Sequence, residues 1–369
     1  MGKEQICSRQ LFMLIISFEL GTAIVFGLGM DAKQDAWIVI LLATVVGLLM
    51  YVMYTELFRL FPGQTLTQYI PQIFGKVLGL PLSLLYITFF IYLAARDLRD
   101  FAELIIGAFL RDTPLAVISF IIILVVCYAV FHGIEVIGRA NEVLLPIVLI
   151  MLVLMTILLL ASNQIHMTNL QPVLGEGIKP IIKATFPLAV AFPFGEAVVF
   201  GMFLPYLNQP SKARATGLAA LLVSGFMISY TTAVNIAVLN ADITFMANFP
   251  LLATVRLINV GQFIQRLEII AMFLMFVGGF IKIALFFLGA VIGASSMFRF
   301  PNHRTLVVPV GLIIFTSSIY IARSLPEHLE EGLKIAVPIL LIPLELILPF
   351  AMLLIAYVRK WYLSKTNNS

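Results

Sequence analysis

Membrane-length apolar runs dominate this chain, and one of them is broken from within. The run over 181–205 carries Pro187, Pro193 and Gly195 in its interior, with Glu196 directly after the glycine. A bilayer core of roughly 30 Å takes about 20 apolar residues as a helix. Lipid offers no hydrogen-bond partners, so a helix interrupted at that depth must face protein or a water-filled cavity. Only a helical membrane protein satisfies such a sequence. Broken spans beside a buried carboxylate are also how many carriers build a small-molecule site at mid-membrane.

The further runs lie over 11–29, 37–60, 82–110, 115–131, 143–161, 217–238, 267–293, 306–321 and 335–358. The run over 82–110 is interrupted by Arg96, Asp97, Arg99, Asp100 and Glu103, yet its flanks are too apolar to stand in water. The sequence therefore predicts an all-α polytopic membrane protein with ten transmembrane helices in one transmembrane domain over 1–369. Ten spans leave both termini on one side, and a cytoplasmic placement puts the larger share of Lys and Arg on inner loops. The longest outer loop, 241–266, repeats Leu251, Leu252, Val255, Leu257 and Ile258 with approximately helical spacing. It reads as a short helix over an outer vestibule or as a plain surface helix.

Spans one and six open two sets of five. Gly21, Thr22, Ala23, Gly27 and Gly29 interrupt the first, as the proline and glycine series interrupts the sixth. Interruptions at matching positions point to a five-plus-five inverted repeat with broken helices 1 and 6 and a site at the midplane. The expected repeats cover about 8–162 and about 178–361. No repeat is visible in the residues themselves, so position alone supports them.

Composition narrows the function classes. Of 369 residues 61% are hydrophobic and 11% charged, against about 25% charged in a soluble domain. No polar stretch is long enough for a soluble catalytic domain, and no triad, phosphate loop or dinucleotide fingerprint is present, so an enzyme is not expected. Cys7 and Cys127 lie far apart and the four histidines are scattered, so neither a disulfide framework nor a metal is expected, and no cofactor is implied. The net charge of +4 is spread over loops, which argues against nucleic-acid binding. No cleavable signal peptide is expected, because MGKEQICSRQ passes directly into an apolar run, and Ile6 stands where a myristoylation motif has Ser or Thr.

An ionised group at a helix centre costs about 2.5–3.5 kcal/mol on insertion, so each charge inside a span needs a reason. Glu19 sits near mid-depth of span one, two residues before Gly21, and Glu196 at comparable depth in span six. Each reads either as a neutral carboxyl tying helices together or as a binding or proton-coupling group. Arg99 and Glu103, at i and i+4, stack on one helix face and form a local polar network or one wall of an outer water path. Lys282 stands alone in GGFIKIALFF; it either snorkels or pairs with Glu19, Glu196 or a ligand carboxylate. Glu345, among Pro338, Pro343 and Pro349, reads as structural.

The block NLQPVLGEG over 169–177, FGE over 194–196 and FLP over 203–205 resemble the B subunits of bacterial spore germinant receptors. LGTAIVFGLG over 20–29, the Arg99/Glu103 spacing and RDTP over 111–114 are similar too, so the resemblance covers nearly the whole chain. That family belongs to the amino acid–polyamine–organocation transporter superfamily. The resemblance implies a germinant-sensing subunit in the spore inner membrane, which binds an amino acid or similar small nutrient. It also implies two partners, a receptor A subunit and a lipoprotein C subunit. Gly21, Thr22 and Ala23 would offer backbone groups to the ligand, and Phe192, Pro193, Phe194 and Gly195 would do the same from span six. Spans three and eight would complete the pocket, with Glu196 and Lys282 as its charged candidates. Lys282 stands where other members can carry a neutral polar residue, so ligand identity does not carry across. A proton-coupled amino acid transporter of the same fold is the alternative, and a partner-dependent water or ion channel a third reading.

Overall fold

The computed structural model describes residues 4–24, 26–259 and 268–366, with side chains described as far as Lys360. Val25 in span one, 260–266 in the long outer loop and Leu267 at the expected start of span eight lie outside the described residues. Nine helices among the described residues are long and apolar enough to cross a membrane. The tenth crossing is span one, whose helix Ser8–Leu20 stops after 13 residues at Gly21. The spans then follow as Ala36–Leu60, Leu66–Ala108, Leu115–His132, Ile134–Ala161, Ile178–Met202, Ala213–Leu239, Glu268–Met297, His303–Tyr320 and Leu325–Lys360.

Span eight is the axis of the bundle. Its residues from Ile281 to Val291 are almost free of solvent contact, and it packs against spans one, three, four, five and nine. Spans one, two, six and seven form a second group, with spans one and two both packed on span seven. Gly278 lets spans one and eight approach closely: a Cβ there would lie 2.7 Å from the Cα of Gly21. The outward faces carry Leu49, Ile150, Phe226 and Leu312, all exposed and suited to lipid. At one end, Ile6 ties the segment before span one to the one after span six: its N–H donates to Tyr206 O, and its carbonyl accepts from Asn208 N–H.

The structure lengthens two of the expected helices. Span three begins at Leu66 rather than 82, with Thr65 and Gln68 forming a capping box. Pro71 and Pro81 lie within this helix, which bends at Gly75, where φ is +78°. Span five begins at Ile134, only one residue after span four, because Gly133 at φ +85° turns the chain there. In the outer loop two short helices, Ala241–Met246 and Pro250–Arg256, replace the one expected, and the second buries Leu251, Leu252 and Val255.

Span six is helical over Ile178–Ala184, irregular through Pro193, and tightly wound again over Phe194–Met202. Two buried tyrosines supply the hydrogen bonds that broken helices leave open. Tyr54 on span two donates to the carbonyls of Gly195 (3.1 Å) and Glu345 (2.6 Å), and Tyr86 on span three donates to that of Leu344 (2.7 Å).

Arg99 has a structural assignment. Its guanidinium donates to the carbonyls of Ser318, Ile319 and Ala322 at 3.2, 3.1 and 2.8 Å, where span nine ends, and to Glu103 Oε1 at 2.9 Å. The last carbonyls of a helix have no partner within it, so a buried arginine there replaces water. Arg99→Met is expected to cost about 3 kcal/mol, because it also strands Glu103. Arg139→Ala breaks an exposed i,i+4 pair with Glu135 and is expected to cost at most about 0.5 kcal/mol. Denaturant unfolding in detergent, followed for both variants, checks the ordering; equal losses would refute the assignment.

Candidate functional site

A cavity of about 520 Å³ opens on the face that carries Asp31, Lys183, Asn248 and Lys334, the side assigned as outer by the charge distribution. Its walls come from the broken spans one and six, from span three, from the loop after span seven and from the first turns of span ten. Leu93, Leu188 and Phe192 make it apolar in depth, while Asp97 and Glu196 bring acid to it. Several hundred cubic ångströms, mostly apolar with a few convergent polar groups, is the character of a small-molecule site.

Behind Glu196 lies the only lysine of span eight. Lys282 is fully buried, and its Nζ sits 2.5 Å from Glu196 Oε2, an ion-pair contact made outside the angular range of a regular hydrogen bond. The same ammonium donates to Thr22 Oγ1 at 3.2 Å and lies 4.3 Å from the ring centre of Phe192 and 5.4 Å from that of Phe18. Thr22 in turn donates to Asp97 Oδ1 over a long 3.5 Å. One cation thus joins the break of span one to that of span six, with two aromatic faces as further neighbours. Snorkelling is not what this lysine does.

The other expected site residues take different places. Gly21 lies beside the Lys282 stem, where a Cβ would come within 3.0 Å of Cδ. Ala23 is buried. Phe194 turns away from the cavity, its Cβ filling the space over Gly47, and Gly195 is backed by the carboxyl of Glu345 and by Tyr54. Thr22, Phe192, Glu196 and Lys282 therefore meet at one point. Pro193, Phe194 and Gly195 shape the break behind it. Glu19 is fully buried and its carboxyl finds no hydrogen-bond partner. Arg99 and Glu103 serve span nine and do not reach the cavity.

Sequence reading missed three contributors. Asp97 was read only as part of the charged run of span three, although it lines the cavity. Tyr54 and Tyr86 had a readable signal, since a tyrosine hydroxyl deep in a span needs a partner and a broken helix nearby offers one. The rim also escaped notice: Arg96 pairs with Glu331 and donates to His328 O, Tyr92 donates to Glu331, and His328 Nε2 meets Asp100 Oδ1 at 2.8 Å. These contacts hold the start of span ten against span three.

Below the ion pair, away from the cavity, the rings of Phe18, Phe200, Phe286 and Phe90 pack in sequence. Phe18 lies 5.3 Å from Phe200 and 5.1 Å from Phe286, which lies 6.2 Å from Phe90. All four are buried. The cavity reaches Glu196 from the face that carries Lys183 and Lys334, and buried aromatic rings pack beyond the ion pair.

Known proteins share both the sequence and the architecture. Residues 5–325 match the family described as spore germination protein. Spore germination protein KB of Bacillus subtilis (strain 168) is 37% identical over 98% of this chain and 96% of its own length. Spore germination protein YndE of the same organism is 25% identical over 88% of each. Among solved structures, Mhp1, a nucleobase-cation-symport-1 family transporter in a closed conformation with bromovinylhydantoin bound, superposes with a TM-score of 0.62. The overlap covers 87% of this chain and 73% of that one at 18% identity. Such a likeness speaks to fold alone. With a family match across most of its length and a close relative across nearly all of it, this integral membrane chain belongs to the spore germination protein family and has a transporter fold.

Proposed function

We propose that the chain is the germinant-sensing subunit of a spore germination receptor in the spore inner membrane. It binds an amino acid or a similar small nutrient at mid-membrane and signals through conformational change to an A subunit and a lipoprotein C subunit. The observation that carries this reading is the buried Lys282–Glu196 pair at the inner end of a cavity, whose lysine also donates to Thr22 and so links the two broken spans. A ligand that competes for either charge changes the contact between the spans, and differential affinity for two arrangements is what shifts an equilibrium. Membership of the spore germination family supplies the setting.

A second reading, a proton-coupled amino acid transporter, is favoured by the likeness to a transporter fold. Uptake separates the two. Labelled amino acid accumulating in vesicles under a proton gradient, with this chain alone, would establish transport; a signalling subunit without partners leaves the lumen empty.

Deletion of the chain from a sporulating host is expected to abolish or slow the response to at least one germinant, and normal spores in a strain lacking paralogues would sink the receptor reading. Glu196→Gln is expected to reduce the response more than Glu345→Gln does. The first loses a charge-assisted contact worth about 1.5–3 kcal/mol, equivalent to roughly tenfold or more in half-maximal germinant concentration. Equal germination kinetics at equal protein levels would contradict the ordering. Lys282→Met is expected to change which germinants act and how strongly; an unchanged germinant profile removes Lys282 from ligand recognition.

A further inference from the structure

The cavity contains an acid that no cation contacts directly among the described residues. Asp97 is 5% exposed and lines the cavity, yet only Oδ1 has a partner, the hydroxyl of Thr22. Its Oδ2 is buried without one. The neighbouring cations are engaged elsewhere: Lys282 with Glu196, and Arg96 with Glu331 and the carbonyl of His328. Asp100, one turn on, is matched by His328. Around the inner end the formal count is therefore two acids, Asp97 and Glu196, to one lysine.

Resting on the germinant-binding reading above, we infer that Asp97 forms an ammonium subsite, so that the ligand enters amine-first and its protonated amine donates to the open oxygen of Asp97. A primary ammonium carries three donors on a compact charge, which suits one free carboxylate oxygen in a cavity whose lining also includes Leu93 and Phe192. A bare calcium or magnesium ion fits worse, because each takes about six or more oxygens, and no cluster of three metal-ligating side chains occurs among the described residues. A neutral hydroxyl would supply a hydrogen bond but no charge. The anionic end of an amino acid then points outward, toward Lys183 at the wall of the same cavity. Glu19 and Glu345, the other buried acids of this region, do not line the cavity and compete for no ligand there.

The test is equilibrium binding to the full chain in lipid nanodiscs, using a panel of amino acids, the 2-hydroxy acid matching each one, and neutral sugars. Wild type is expected to bind at least one amino acid and to bind its hydroxy acid at least about tenfold more weakly, as a site built around a buried polar group rejects the analogue that leaves it unmatched. Asp97→Asn is expected to lose that discrimination while eluting as the same monodisperse species. Equal wild-type affinity for an amino acid and its hydroxy acid overturns the subsite without needing any variant, and so does discrimination retained in Asp97→Asn. Sugar binding that Lys282→Met abolishes but Asp97→Asn leaves intact would overturn the subsite and keep the mid-membrane site. A chain that binds no probe counts against both.

Discussion

The contact between Lys282 and Glu196 sets the terms for everything around it. Two opposite charges inside a membrane protein are tolerable only together, because removing either leaves the other buried at a cost of about 3–5 kcal/mol. Their meeting requires span eight to lie against span one, which Gly21 and Gly278 permit, and span six to bring its break to the same depth. Thr22 adds a hydrogen bond and Phe192 a ring face, so the pair also fixes where both interrupted helices resume. The tyrosines behind it follow the same logic: once span six is broken at Gly195, its freed carbonyl needs a donor, and Tyr54 provides it.

The surroundings of that pair are unequal in stiffness. Away from the cavity it is backed by packed phenylalanines, and elsewhere in the bundle Glu56 accepts hydrogen bonds from Arg214 and Tyr357 and so ties spans two, seven and ten. On the outer side the cavity is bounded by polar contacts between span three and the start of span ten, several of them partly open to solvent. Contacts of that kind open locally at lower free energy than a packed aromatic core. Movement of span ten over the cavity is the conformational change that the geometry makes cheapest.

Much of the architecture was legible because the bilayer imposes it. Length and apolarity identify the crossings, and prolines and glycines at mid-depth identify the breaks in spans one and six. Legibility failed where local signals pointed the wrong way. The expected start of span three at 82 followed the apolar run alone, yet its helix begins at Leu66 and runs through Pro71, Gly75 and Pro81 with a bend. Glu196 and Lys282 were recognisable singly as charges needing partners, but their pairing depends on a crossing of spans that no local pattern encodes. Asp97 was hidden for the opposite reason: four charged neighbours on the same helix offered it local partners, but the structure sends Arg96, Arg99 and Asp100 to other spans, and Glu103 to Arg99.

A transporter fold in a sensing role needs only part of what transport needs. To carry a ligand across, the chain must open the inner path as well, which means separating Phe18, Phe200 and Phe286 and loosening the Glu56 contacts, with the ion pair re-formed or carried through each cycle. To report a ligand, as proposed above, it would need only a change around the cavity: an amine at Asp97 would shift the balance of charge at Lys282, and span ten would settle differently against span three. The partner that reads such a change must touch a surface that moves with span ten. In that reading the aromatic floor would act as a stop, confining ligand and water to the cavity side while the signal passes through the helices around it.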